Sequence, residues 1–180
     1  KYSGPINSRG TEATLQIDLA KLDDRQDDKD PRNRRVVLKD AFVRHPFNPQ
    51  WAARMGYTTI PFGFEEEYSS SKRLPLERSK VATSFFPGER EPGLYLLYTP
   101  PDRRQPAVVI GYSNGMYEWG DRASSGDQDK KDHAWTGRVQ WPLPSHGVAG
   151  LSYTSASRQR EVGGERRDFD QNCWGAHVRY

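Results

Sequence analysis

Two arginines stand in segments of the sequence in which residues of opposite character alternate. Arg54 lies in the segment 51–59 (WAARMGYTT), and Arg138 lies in the segment 133–141 (HAWTGRVQW). Side chains of a β-strand point alternately to its two faces, so each guanidinium falls on the face opposite the tryptophans. A guanidinium is planar, permanently charged and able to donate paired hydrogen bonds, which suits it to oxyanions. These two positions are therefore the first candidates for binding small anions.

The long connection that follows the segment 51–59, residues 60–93, carries further basic residues. They are Lys72, Arg73, Arg78, Lys80 and Arg90. A ladder of such groups would supply the fixed positive charge that selects anions in a narrow passage. Charge runs are more commonly solvated loops, however, and the three glutamates at 65–67 argue against a purely cationic surface. Arg54 and Arg138 are the stronger candidates, because strand alternation dictates their direction.

The sequence has no pattern typical of an enzyme or a metal centre. The four histidines and the one cysteine lack metal-ligand spacing, and neither a Walker nor a dinucleotide-binding glycine motif occurs. A formal net charge of +3 gives no reason to expect a nucleic-acid partner. We therefore expect no catalytic residues, no metal, no cofactor and no enzymatic activity.

The elements that must position these side chains are β-strands. Only 34% of the 180 residues are hydrophobic and 28% are charged, yet 12% are aromatic, which argues against disorder. Helical periodicity is hard to find, whereas two-residue alternation recurs between polar, turn-rich stretches. The predicted strands are residues 11–21, 36–45, 51–59, 94–99, 107–115, 133–141, 148–157 and 169–180. The chain is thus predicted to be all-β and antiparallel.

The predicted connections alternate between long and short. The long ones are residues 22–35, 60–93, 115–132 and 158–168. A soluble sandwich has no reason to collect its long loops at one end, whereas transmembrane barrels have short turns on one side and long loops on the other. We therefore predict an up-and-down transmembrane β-barrel, with residues 1–180 forming a single barrel domain or a fragment of one.

Aromatic residues recur on the apolar faces of these strands. Those predicted to face lipid or to form interfacial girdles are Trp51, Tyr57, Trp135, Trp141, Tyr153, Trp174 and Tyr180. Such girdles flank the apolar band of outer-membrane barrels. The last strand alternates apolar residues up to Tyr180, which resembles an outer-membrane insertion signal. A mean hydropathy of −0.94 fits a barrel, because only alternate residues then face lipid.

Pieces of the sequence, taken in order, resemble the phosphate-selective porin family of Gram-negative outer membranes. They are LKDAFVRHPFNPQWAARMGYTTIPFGFEE, SSSKRLPLERSKVATSFFPGEREPGLYL, IGYSNG and DHAWTGRVQWPLP. The family has a strand ending in K-D-A, an R-x-G strand running into P-F-G, and an S-S-R…E-R-S…P-G-R-x-x-G loop. A later family strand ends in N-G, and an arginine-bearing strand runs into a proline turn. The resemblance covers roughly residues 36–143.

The resemblance implies a porin that passes small, phosphate-like anions by diffusion through a lumen lined with arginine and lysine. It implies that residues 60–93 fold into that lumen, and that the chains form homotrimers in contact with outer-membrane lipid. Two positions depart from the family pattern. Thr59 stands where the family has a lysine before P-F-G, and Glu89 displaces Arg90 within PGEREPG.

The number of strands limits how complete this barrel can be. Family barrels have sixteen strands, and only about eight are predicted here. An eight-stranded barrel is filled by its own side chains, so the long 60–93 connection would not fit inside it. Three arrangements are open: the chain is part of a larger barrel, several chains share one wall, or the long connection lies outside the barrel. Of these we favour the first. Two alternatives are a non-conducting structural or assembly subunit with a porin-derived fold and a soluble β-sandwich or lipocalin-like binding module.

Overall fold

The described part of the chain is built of β-strands. The computed structural model describes residues 1–18, 37–63, 90–102, 104–115, 133–144, 147–162 and 165–179. Within these ranges no helix is long and apolar enough to cross a membrane. The strands are β1 (Tyr2–Pro5), β2 (Glu12–Asp18), β3 (Val37–Pro46), β4 (Trp51–Thr59), β5 (Arg90–Tyr98), β6 (Ala107–Ser113), β7 (His133–Pro142), β8 (Val148–Val162) and β9 (Glu165–Arg179).

The nine strands form one sheet in which every strand pairs antiparallel with the next strand of the chain. The order β1 to β9 is therefore a simple up-and-down meander, and it confirms the all-β, antiparallel prediction. Strands β1 and β9 are the two edges of the sheet, so the sheet is not closed within the described residues. This topology is consistent with a porin-type barrel wall.

The structure corrects the predicted strand count at the start of the chain. β1 is the strand that the sequence pattern missed, and it raises the count from eight to nine. It pairs with β2, with Tyr2 opposite Leu15. Its sequence YSGP shows no alternation and contains both glycine and proline, which weaken any strand prediction. Residues 90–93, which the sequence places in the long connection, belong to β5.

The predicted long loop at 158–168 is wrong. β8 and β9 continue as a ladder through most of that stretch, as far as Val162 opposite Glu165. Backbone pairing does not require apolar side chains, and the stretch RQREVGGERRD is too polar to show the alternation by which strands are recognised in sequence. The β8–β9 hairpin therefore extends five residues past Ser157, the last residue of β8 that pairs with β7.

The other connections keep their predicted alternation of length, and the first two short ones share one kind of turn chemistry. In the connection between β1 and β2 the carboxamide oxygen of Asn7 accepts hydrogen bonds from the backbone N–H groups of Arg9 and Thr11. Asn48 does the same for Gln50 and Trp51, at 2.9 and 2.8 Å. Side chains that bond their own backbone in this way favour tight turns.

The two faces of this sheet differ in polarity from those of a soluble sheet, in which apolar side chains are buried and polar side chains are exposed. We call inner the face that carries Tyr95 and Thr154, and outer the face that carries Met55 and Trp174. On the inner face Thr154 is 0% exposed and Tyr95 1%, whereas on the outer face Met55 is 63% and Trp174 80% exposed. Large apolar side chains are thus exposed on the outer face, whereas the inner face mixes hydroxyl and charged groups with buried apolar residues; exposed apolar outer faces are typical of barrels that separate lipid from water.

Candidate functional site

A row of directly opposed residues crosses the inner face from β4 to β9. Its members are Arg54, Tyr95, Gly111, Thr136, Thr154 and Cys173. The Thr136 and Thr154 hydroxyls lie 3.0 Å apart and form a hydrogen bond. The Tyr95 ring covers Gly111, where an added Cβ would come within 2.2 Å of the ring. Arg54 is the charged member of this row.

Two aromatic rings flank Arg54. Its Cζ atom lies 5.6 Å from the centroid of the Phe42 ring on β3 and 5.2 Å from that of Tyr95 on β5. The electron-rich ring faces attract the guanidinium and restrict the positions it can take. Arg44 stands directly opposite Arg54 on β3, so two guanidinium groups leave the sheet on the same face. Their mutual repulsion costs stability but raises the positive potential that an anion would meet.

Two carboxylates lie at the ends of the strands that adjoin the long connections. The Arg90 Nε atom donates to Asp40 Oδ1 at 3.0 Å, which makes an ion pair. Glu91 is 1% exposed, and its Oε2 atom accepts a hydrogen bond from the Ser113 hydroxyl at 2.8 Å. Because Asp40 offsets its charge, Arg90 adds less positive potential than its sequence position indicates.

The four residues after β4, which we call the 60–63 segment, cross the inner face and reach β7, β8 and β9. Ile60 packs with Ala134 and Ala156 in a small apolar cluster, against which Phe62 and Cys173 also pack. The Phe62 ring covers the inner face of β9 at Gly175, where an added Cβ would lie 2.9 Å from the ring.

Polar contacts attach the end of the 60–63 segment to the same wall. The backbone N–H of Gly63 donates to the Ser152 hydroxyl at 3.0 Å. The Arg138 Nη1 atom lies 3.5 Å from the Gly63 carbonyl oxygen, a long hydrogen bond that the cationic donor strengthens. Ser152 and Arg138 are directly opposite each other on β8 and β7, and both are buried.

A third ring-on-glycine contact lies nearer the short turns. His177 of β9 places its ring over Gly150 of β8, where an added Cβ would meet the ring at 2.3 Å. The ring thereby reaches β7, and its Nε2 atom lies 3.5 Å from the Gln140 Nε2 atom. The inner faces of these three strands are thus linked by one side chain.

The structure brings some of the predicted anion-site residues together on the inner face. Arg54 lies on β4, and Arg138 lies three strands away on β7, about 14 Å across the sheet at ~4.8 Å per strand. Arg90 lies at the start of β5, beside Asp40. The remaining predicted residues, Lys72, Arg73, Arg78 and Lys80, lie outside the described residues.

Sequence reasoning missed several residues that shape this face, among them Asp40, Glu91 and Ser152. The register of residues 36–45 was ambiguous, because Lys39 and Asp40 are adjacent charges on opposite faces. Glu91 fell in a predicted loop. For Ser152 the alternation of β8 was an available signal, because it puts Ser152 and Thr154 on the inner face.

The predicted girdle residues lie on the outer face wherever the structure describes them. Three aromatic pairs stand directly opposite each other on adjacent strands: Trp51 with Tyr98, Tyr112 with Trp135, and Tyr153 with Trp174. Their ring centroids are 4.8, 4.9 and 4.3 Å apart respectively. Two other predicted residues complete the set: Trp141 is 38% exposed and Tyr57 is half-buried. Tyr180 lies outside the described residues.

Comparison with known proteins assigns the chain to a family. Within the described residues no three His, Cys, Asp or Glu side chains come close enough together to hold a metal ion. No curated protein and no solved structure matches the chain significantly. The family model described as "Phosphate-selective porin O and P" matches residues 3–138, which is well over half of the sequence. The chain therefore belongs to the phosphate-selective porin family.

Proposed function

We propose that this chain forms part of the wall of a porin in the outer membrane of a Gram-negative bacterium, through which small, phosphate-like anions diffuse. The observation that carries the proposal is the polarity of the sheet, with large apolar side chains exposed outside and hydroxyl and charged groups inside. Hydrocarbon on one side and a watery lumen on the other account for that distribution. Membership of a porin family supports a channel rather than an enzyme.

The layout of the outer face supports contact with lipid. The Trp51–Tyr98 pair adjoins the short turns, and the Tyr112–Trp135 pair lies near the opposite strand ends. Large apolar residues exposed on the same face include Met55, Leu94, Leu96, Ile110 and Leu151. An exposed face of aromatic and aliphatic side chains suits contact with a bilayer. A soluble sandwich would cover such a face with a second sheet, and the described strands form only one.

The charges of the inner face support a preference for anions. We propose that Arg54 and Arg138 are selectivity residues, because strand alternation directs both side chains to the inner face. Arg90 contributes less because of its ion pair with Asp40. By resemblance, the further lumen-lining residues are Lys72, Arg73, Arg78 and Lys80. A guanidinium donates to two oxygens of one anion, which favours phosphate-like solutes over spherical ions.

The path of the 60–63 segment supports an inward course for the connection 60–93. We propose that this connection narrows the lumen, since the 60–63 segment already leaves β4 across the inner face toward β8. An inner space wide enough for it requires more strands than nine, which supports a larger barrel. By resemblance, we further propose that the assembled porin is a homotrimer surrounded by outer-membrane lipid.

Charge reversal at Arg54 tests the anion site. Arg54→Glu in a protein reconstituted in planar bilayers should lower the chloride-over-potassium permeability ratio several-fold, because the inner face then repels anions. The matched control is Arg104→Glu, which makes the same charge change at an exposed residue in the 99–106 turn. The reversal potential in a KCl gradient measures the ratio. Equal shifts in both variants would remove Arg54 from the selectivity site.

A further inference from the structure

The 60–63 segment is attached to the opposite wall by contacts of several independent kinds. Its Gly63 amide is bound by the Ser152 hydroxyl, and its carbonyl is approached by Arg138. Its Phe62 ring occupies the space left by the missing Cβ of Gly175. These contacts join residues 75 to 113 positions apart in the sequence, and the partners lie on three neighbouring strands.

We propose that Arg138, Ser152 and Gly175 form a receptor on β7, β8 and β9 that fixes the 60–63 segment and thereby sets where the lumen begins to narrow. The three receptor residues are directly opposite one another, in the order Arg138, Ser152, Gly175. The narrowing of a lumen rests on the proposed porin function, whereas the attachment of the 60–63 segment does not depend on it.

The chemistry of the receptor suits a backbone turn better than a free solute. A backbone N–H that is withdrawn from water without a partner is costly, and the Ser152 hydroxyl satisfies the partly buried N–H of Gly63 on the inward path. Arg138 is 4% exposed, which leaves little of its guanidinium for a passing anion. Arg138 is therefore a positioning residue that acts through Gly63, in addition to the charge it carries.

The one cysteine of the chain provides a test that does not require ion conduction. Cys173 is half-buried on the inner face of β9 and packs against the same cluster as Phe62. Releasing the 60–63 segment would uncover it to a water-soluble maleimide. In the reconstituted protein, Ser152→Ala should speed labelling of Cys173 by roughly three- to tenfold, which is what loss of one buried hydrogen bond produces in a local opening equilibrium.

Two further variants test the attachment, one without a change of charge and one with it. Gly175→Ala should speed labelling as well, because the added methyl group displaces the Phe62 ring. Arg138→Gln should also speed it, whereas Ser155→Ala is a matched control. Ser155 lies on the same strand but on the outer face, directly opposite Trp135, so its variant should label at the wild-type rate. Wild-type labelling rates in Ser152→Ala, Gly175→Ala and Arg138→Gln would overturn the receptor.

A cross-link covers the case in which these variants fail to fold. Phe62→Cys, in an otherwise unchanged chain, should be joined to Cys173 by a short thiol-specific cross-linker, and Phe47→Cys in a distant turn should not. Absence of the Phe62→Cys link would also overturn the receptor.

Conductance tests the second half of the proposal separately. Ser152→Ala changes no charge, so it should alter single-channel conductance while anion preference is retained. Faster labelling with unchanged conductance would show that the attachment does not set the narrowing. If the wild-type protein shows no preference for anions, that result would count against the proposed function and leave the labelling result intact.

Discussion

The positive potential that an arginine adds to the wall depends on the side chains that lie beside it. Arg90 forms an ion pair with Asp40, and Arg54 stands between two aromatic rings. The alternation of segment 51–59 was enough to place Arg54 on the polar face. No comparable signal placed Arg90, because its partner lies fifty positions away on β3.

Removing the Asp40 carboxylate tests this view of Arg90. Asp40→Asn should raise the chloride-over-potassium permeability ratio, because the positive charge of Arg90 is then less compensated while the shape of the side chain is kept. Asp102→Asn, in an exposed short turn, is the matched control and should leave the ratio unchanged. Reversal potentials of both variants give the answer, and a fall in the ratio for Asp40→Asn would contradict it.

Backbone geometry, rather than packing with a ring, requires glycine at position 56. Gly56 has a φ of 130°, and an added Cβ would lie 2.3 Å from the Ala41 carbonyl oxygen. Gly56→Ala should therefore lower the free energy of unfolding by about 2–4 kcal/mol, from backbone strain and overpacking together.

Gly137→Ala provides the control for that prediction. An added Cβ at Gly137 has no neighbour within 4 Å, so this variant should stay within about 1 kcal/mol of the wild type. Urea unfolding in lipid vesicles, followed by tryptophan fluorescence, measures both. Similar losses for the two variants would show that the geometry at Gly56 imposes no special cost.

The strands were predictable from the sequence to the extent that their side chains alternate between lipid-like and water-like surroundings. β4, β6 and β7 meet that condition, and their predicted and observed bounds nearly coincide. β1 and the part of the β8–β9 hairpin beyond Ser157 do not meet that condition. Where both faces of a strand are polar, backbone pairing continues but the hydrophobic period that reveals it is lost.

An arginine on the outer face tests which strand positions meet hydrocarbon. Ile110→Arg on β6 should reduce the free energy of unfolding by about 2–4 kcal/mol, the cost of placing an arginine near the middle of a bilayer. Asp168→Arg, in the projecting hairpin, makes the same residue at an exposed position and should cost little. Unfolding from lipid vesicles measures both, and equal effects would place β6 outside the membrane.

For the molecule as a whole, the fold class and the polarity of its faces followed from the sequence, whereas the attachment of the 60–63 segment did not. The P-F-G residues are visible in the sequence, but their receptor lies on β7, β8 and β9, far along the chain. Contacts between Gly63 and Ser152 span 89 positions, and no local pattern encodes them. The described strands form an open sheet whose edges are β1 and β9.

The most direct test of the proposed function is the ion preference of the wild-type protein. The purified protein would be inserted into a planar lipid bilayer, and the reversal potential would be recorded in a KCl gradient. A cationic inner face predicts a potential of the sign set by chloride, together with a reduction of the chloride current when phosphate is added. A potential of the sign set by potassium, or no conductance from protein shown to be inserted, would contradict the proposed anion pore.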